Sequence, residues 1–163
     1  MRHSLPLLLA LLAASASAQS SAYVEQVGSQ NLAVLTQSAS AGGASDARVV
    51  QAGVGRHVAR LDQRGGSAAS IEQDGEGHLL AGFSGDASDP DAVALSFDGS
   101  ELVLRQAGGI GNQAFVEQHG GAFAEILQLG SDNVVALRQS GGGVAQITQT
   151  GVNNVARVTQ TGF

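Results

Sequence analysis

Apolar and polar residues alternate with period two through most of this chain, and the alternation keeps restarting on the same phrase. The phrase is apolar-x-Gln, as in Leu35-Thr36-Gln37, Ile147-Thr148-Gln149 and Val158-Thr159-Gln160. Stepping back by two from Gln160 gives Val158, Ala156 and Asn154; from Gln37 it gives Leu35, Ala33 and Asn31. Gln73 instead leads back to Ile71, Ala69 and Ser67. A period of two predicts strands, with small aliphatics on one face bracketed by an amide and an amide or hydroxyl. The residues just before each marker, such as Glu25, Asp62, Glu72, Arg105 and Arg138, give an opposite face that tolerates charge.

The markers fall at Gln26, Gln37, Gln51, Gln63, Gln73, Gln106, Gln118, Gln128, Gln139, Gln149 and Gln160, with Ser84 and Phe97 in register where Gln is replaced. Eleven of the fifteen Gln residues thus occupy one position of a repeat of roughly eleven. Between the phrases, x-Gly-x-x-Asn turns ("VGSQN", "LGSDN", "TGVNN") alternate with Gly-Gly runs ("QRGGS", "QHGGA", "QSGGG"). Gly and Asn supply the positive φ of tight turns. Two strands and two turns make a unit of about 22 residues, too thin to bury its own inner face. The expectation is an all-β fold: a β-solenoid of about thirteen strands in six to seven rungs. Its rungs stack about 4.8 Å apart in an amyloid-like cross-β arrangement. Inward Gln and Asn side chains are tolerable there only if each amide bonds to the rungs above and below. The candidate ladder and self-assembly set is Gln26, Asn31, Gln37, Gln51, Gln63, Gln73, Asn112, Gln118, Gln128, Asn133, Gln139, Gln149, Asn154 and Gln160.

The first residues predict export. Arg2 and His3 precede the apolar run 5–14, and Ala16 and Ala18 set an A-x-A cleavage site, so 1–18 reads as a signal peptide and 19–163 as one domain. The run is too short to span a bilayer, and membrane insertion is not expected. With no cysteine, the exported fold is held without disulfides. Beyond Arg2, seven arginines stand against fourteen acids, which argues against nucleic acid as a partner.

Candidate chemistry is sparse. His57 and His78 stand at Asn positions and read as inward hydrogen-bonding rungs; with His119 they lack metal-ligand spacing. The acids Asp86, Asp89, Asp91 and Asp98 read as a solvated loop rather than a calcium site, and as gatekeepers against premature aggregation. No G-x-S-x-G turn and no P-loop is present. No catalytic residue, metal or cofactor is expected.

These repeats resemble the curlins, subunits of the extracellular amyloid fibres called curli. Ser20-x5-Gln26, Ser45-x5-Gln51 and Ser67-x5-Gln73 match the first half of the family pattern. Asn31-x5-Gln37, Asn112-x5-Gln118, Asn133-x5-Gln139 and Asn154-x5-Gln160 match the second. The resemblance implies a secreted cell-surface fibre subunit that polymerises with itself and a companion curlin for adhesion and biofilm matrix. An outer-membrane secretion channel and accessory factors come with it as partners. Repeats that begin almost at once after the leader lean towards a minor, nucleator-like subunit. Departures are His57, His78 and Ser100 for Asn, Ser84 and Phe97 for Gln, and an insertion at 84–92 that carries Pro90. The alternative is a soluble secreted β-solenoid binding or adhesin module, which needs capped ends and a uniform outer face.

Overall fold

The computed structural model describes residues 10–11, 20–38, 43–81 and 95–162. The inner-face pattern folds as the spacing predicts. Thirteen strands run β2 (Ser21–Gly28), β3 (Leu32–Ser38), β4 (Asp46–Val54), β5 (Val58–Arg64), β6 (Ala68–Glu76), β7 (Leu79–Ala81), β8 (Leu95–Asp98), β9 (Glu101–Ile110), β10 (Gln113–His119), β11 (Phe123–Ser131), β12 (Val134–Ser140), β13 (Val144–Val152) and β14 (Val155–Thr161). They are preceded by β1 (Ala10–Leu11), two residues of the N-terminal apolar run that pair in parallel with Val34 and Leu35 of β3. One sheet has the order β13-β11-β9-β6-β4-β2 and the other β1-β3-β5-β7-β10-β12-β14, with β8 also between β5 and β10. Every pairing is parallel and keeps the register of the repeat, except that β6 and β9 slip out of it after Asp74, where Glu76 stands opposite Ile110. Alternate strands fall in alternate sheets, so the chain winds as a β-solenoid of six rungs.

Between the sheets lies a thin apolar core. Most strands contribute one small and one larger aliphatic residue to it: Ala47 and Val49, Ala59 and Leu61, Ala69 and Ile71, Ala114 and Val116, Ala124 and Ile126. Burying each of the larger ones is worth about 1.5–3 kcal/mol. A single rung could not do this; its neighbours supply the cover. At the two ends Val24, Ala156 and Val158 are only partly buried. The outer faces hold ion pairs between adjacent rungs, Arg105 with Glu72 and Arg138 with Glu117, at exposed sites where each is worth little.

The rung count corrects the thirteen-marker reading. The strand opened at His78 is built from two pieces: β7 pairs with the first halves of β5 and β10, and β8 with their second halves. Phe97 therefore stands opposite Gln63 and Gln118, the place that spacing assigned to Ser84. Six rungs carry twelve marker positions. Ser84, the insertion 84–92 and three of the four clustered acids, Asp86, Asp89 and Asp91, lie outside the described residues.

The x-Gly-x-x-Asn corners stack with almost no room. Gly53 and Gly130 have φ of +117° and +104°. A Cβ on either would fall on the carbonyl oxygen of the glycine one rung further on, Gly75 or Gly151. Both the torsion and the approach demand glycine. Gly130→Ala is expected to destabilise the fold by about 2–4 kcal/mol. Gly142→Ala, with open space around its Cβ position, should change stability by less than about 0.5 kcal/mol. Urea unfolding of the two variants beside the parent checks this pair.

Candidate functional site: the amide ladders and the two open ends

Each inward Gln sits at the end of a strand's apolar face, where the core meets a turn. In all but the terminal Gln26, Gln37 and Gln160 the side chain is buried, so it must find partners along the stack. In one sheet it does so without interruption. Gln26 Nε2 donates to Gln51 Oε1, and Gln51 to Gln73, Gln73 to Gln106, Gln106 to Gln128 and Gln128 to Gln149, at 2.7–2.9 Å. The same amide also crosses to the opposite strand: Gln128 Nε2 donates to the carbonyls of Gln113 (3.0 Å) and Asn133 (2.9 Å). The ladder thus staples the two sheets together as well as the rungs.

The second sheet's ladder is broken once. Gln37 donates to Gln63 (3.0 Å), and Gln118 donates to Gln139 (2.9 Å), which donates to Gln160 (2.7 Å). Between the two runs stands Phe97, which has no amide to offer. In consequence Gln118 Oε1 is buried without a hydrogen-bond partner. An orphaned buried acceptor of this kind costs about 1–3 kcal/mol.

The third column is Asn31, His57, His78, Asn112, Asn133 and Asn154, one per rung at the leading end of the sheet that contains β3. Asn133 donates through both its backbone N–H (3.1 Å) and Nδ2 (3.0 Å) to Asn112 Oδ1, and Asn154 does the same to Asn133 Oδ1 (3.1 and 2.8 Å). His57 and His78 keep the function with a different atom. His57 Nδ1 accepts from the His78 backbone N–H, and His78 Nδ1 from that of Asn112, both at 3.3 Å. Both rings are fully buried. Burial pushes both imidazoles below their usual pKa, against the opposing pull of backbone carbonyls and the Asp74 carboxylate.

All fourteen candidate residues thus fall into these columns. Asn31 is the weakest member: its Nδ2 bonds within its own turn, to Val27 O (3.2 Å), and its Oδ1 has no partner. Gln106, marked in the repeat but left out of that set, is the fourth member of the unbroken ladder. Its Ser100-x5-Gln106 spacing was the available signal. That spacing also corrects the reading of Ser100 as an Asn replacement. Ser100 stands in the other corner column, where Ser20 Oγ accepts from Ser45 N–H and Ser100 Oγ from Ala122 N–H, each at 3.2 Å.

The ladders have a direction. Every Gln-to-Gln bond donates towards the C-terminal rung, so among the described residues the ladders begin at Gln26 and Gln37 with an acceptor awaiting a donor. They finish at Gln149 and Gln160, whose amides have no further Gln to reach. Within the described residues β2, β13 and β14 each have a neighbour on one side only. Three or more His, Cys, Asp or Glu residues able to hold a metal do not come together among the described residues.

Position along the ladder sets the expected effect of losing a rung. Gln106→Leu leaves Gln128 Oε1 buried without its donor and should destabilise by about 1–3 kcal/mol. Gln149→Leu strands no buried acceptor, since Gln128 Nε2 keeps two carbonyls, and should cost below about 1 kcal/mol. Denaturant midpoints of the two variants measure the difference.

No protein-family profile matches the chain, and neither does any curated protein or solved structure.

Proposed function

We propose that this chain is a structural subunit of a curli-type extracellular amyloid fibre, secreted and self-polymerising at the cell surface for adhesion and biofilm matrix. The observation that carries this reading is the pair of complementary ends: β2, β13 and β14 are open edges, and β3 is covered only at Val34 and Leu35, by Ala10–Leu11 of the expected signal peptide, whose cleavage would free it. A second copy placed with its β2 and β3 on the first copy's β13 and β14 continues every column in register. Gln149 then faces Gln26 and Gln160 faces Gln37, each bringing a donor to a waiting acceptor. Asn154 meets Asn31, and Gly151 meets Gly28 at the tight corner. Ile147 and Val158 cover the partly exposed Val24 and the neighbouring Leu35. No like charges are opposed, because the last rung carries only Arg157, which falls beside Val34. Backbone edges of this kind recruit a further strand unless they are blocked. Each added copy re-creates the edge it consumed, which is the mechanism of templated growth. The resemblance to the curlins supplies the setting, a companion subunit and an outer-membrane channel, with this chain as either the major or the minor, nucleator-like subunit.

Purified residues 19–163, freshly removed from denaturant, should show a thioflavin lag that preformed seeds shorten, ending in fibres with 4.7–4.8 Å diffraction. A Glu25→Cys, Thr148→Cys double variant should form intermolecular disulfides between those two positions within the fibres. A persistently monomeric β-rich species would defeat the proposal and favour the binding-module reading. Fibres that lack the 25–148 bridge would keep the polymer and discard this junction.

A further inference from the structure

The side-chain columns that bind one rung to the next are not uniform, and two of them change at the same rung. At the rung made of β6, β7 and β8, the Gln ladder of one sheet meets Phe97 and stops. In the same place the Asn column is carried by His57 and His78. On the C-terminal side the Asn column is doubly bonded, each Oδ1 taking a backbone N–H and an Nδ2–H. Through the histidines it is singly bonded, at 3.3 Å. The Gln51–Gln73–Gln106 run of the other sheet keeps full amide links through this rung.

The difference is also one of chemistry. An amide oxygen stays an acceptor at every ordinary pH. An imidazole Nδ1 accepts only while it is unprotonated, and a proton placed there turns it towards the next rung's N–H as a second donor. The two rings lie 5.2 Å apart, centroid to centroid, tilted by 46°, so protonating both also sets like charges side by side. The ionisable residues of their corners are Arg56, Asp74 and Glu76, all exposed. Asp74, whose backbone oxygen lies 3.0 Å from His78 Nε2, favours protonation of both rings from a solvated position. The neighbouring corners, 27–31 and 107–112, contain no ionisable side chain. The strands' inward faces hold only aliphatics and amides.

We propose that His57 and His78 make the third rung a proton-operated seam: acid opens the stack between the second and fourth rungs while the three C-terminal rungs stay closed. The fold holds these rings neutral, so their contribution is whole above their ordinary pKa of about 6.5 and is lost as pH falls below it. The C-terminal block keeps its closure because Asn112, Asn133, Asn154 and both Gln ladders there contain nothing to titrate.

Hydrogen exchange of the folded chain at pH 7.5 and 5.0, corrected for intrinsic rates, tests the seam. Amides of 58–81 are expected to open more by about tenfold per histidine per pH unit below about 6.5, with 123–161 unchanged. Substituting both rings by the column's own residue, His57→Asn with His78→Asn, should abolish the acid response. Full protection of 58–81 at pH 5.0, or an acid response that survives in the double variant, would overturn the proposal; the second result would move the cause to Asp74 and its neighbours. Nitrogen resonances of the imidazoles give a check that needs no variant. Both rings should leave the neutral Nε2–H tautomer over the pH range in which exchange rises, and rings that stay neutral while exchange rises would equally refute it.

Discussion

A primary amide that has been taken out of water must be answered on both its N–H and its C=O side, and this fold follows from meeting that demand repeatedly. The core is too thin to exclude polar groups from its margins, since each rung spans only a strand, a turn, a strand and a turn. Placing Gln and Asn at those margins forces every rung to present the same group at the same height. Register is then specified twice, by the period-two alternation of the strands and by the ladder. A slip of one residue would expose the aliphatics and break the amide chain together.

Stacking in parallel has a second consequence. Parallel rungs related by translation cannot close on themselves, so the two ends differ, and each lacks the neighbour that the other resembles. In the described residues the ladders enter as acceptors and leave as donors. The partly buried Val24, Ala156 and Val158 mark where core packing is left unfinished. That incomplete burial is the physical ground for the proposal that a second copy docks there. The short pairing of Ala10–Leu11 with β3 touches only Val34 and Leu35 and leaves β2 without a neighbour on its outer side.

Regularity also makes deviations legible. Phe97 in place of Gln leaves Gln118 Oε1 unsatisfied, and histidines in place of Asn replace a two-donor clasp by a single bond. These changes fall in the second and third rungs, with His78 and Phe97 both in the third. The stack is therefore better described as a strongly laddered C-terminal block joined to an N-terminal block through a weaker rung than as six equal units.

The repeat was legible in the sequence because local and global requirements coincide: a strand's inward face, its glycine corner and its amide rung are all encoded within about eleven residues. Strand identity, the inward set and the stacked architecture followed from spacing alone, and so did the inward role of His57 and His78. Spacing failed where the chain departs from the repeat. After Ala81 it offered Ser84 as the next marker, whereas the structure supplies Phe97 from β8. Which segment completes a broken strand is settled by the neighbours it must pair with, Gln63 and Gln118, and not by the count of intervening residues. The role of Ser100 was likewise misassigned, because serine and asparagine corners differ in which sheet they precede. The direction of the ladders, the orphaned oxygen of Gln118 and the joint weakness of the third rung were not legible either. They depend on which atoms face one another across rungs 21 to 33 residues apart in sequence, a relation that only the assembled stack defines.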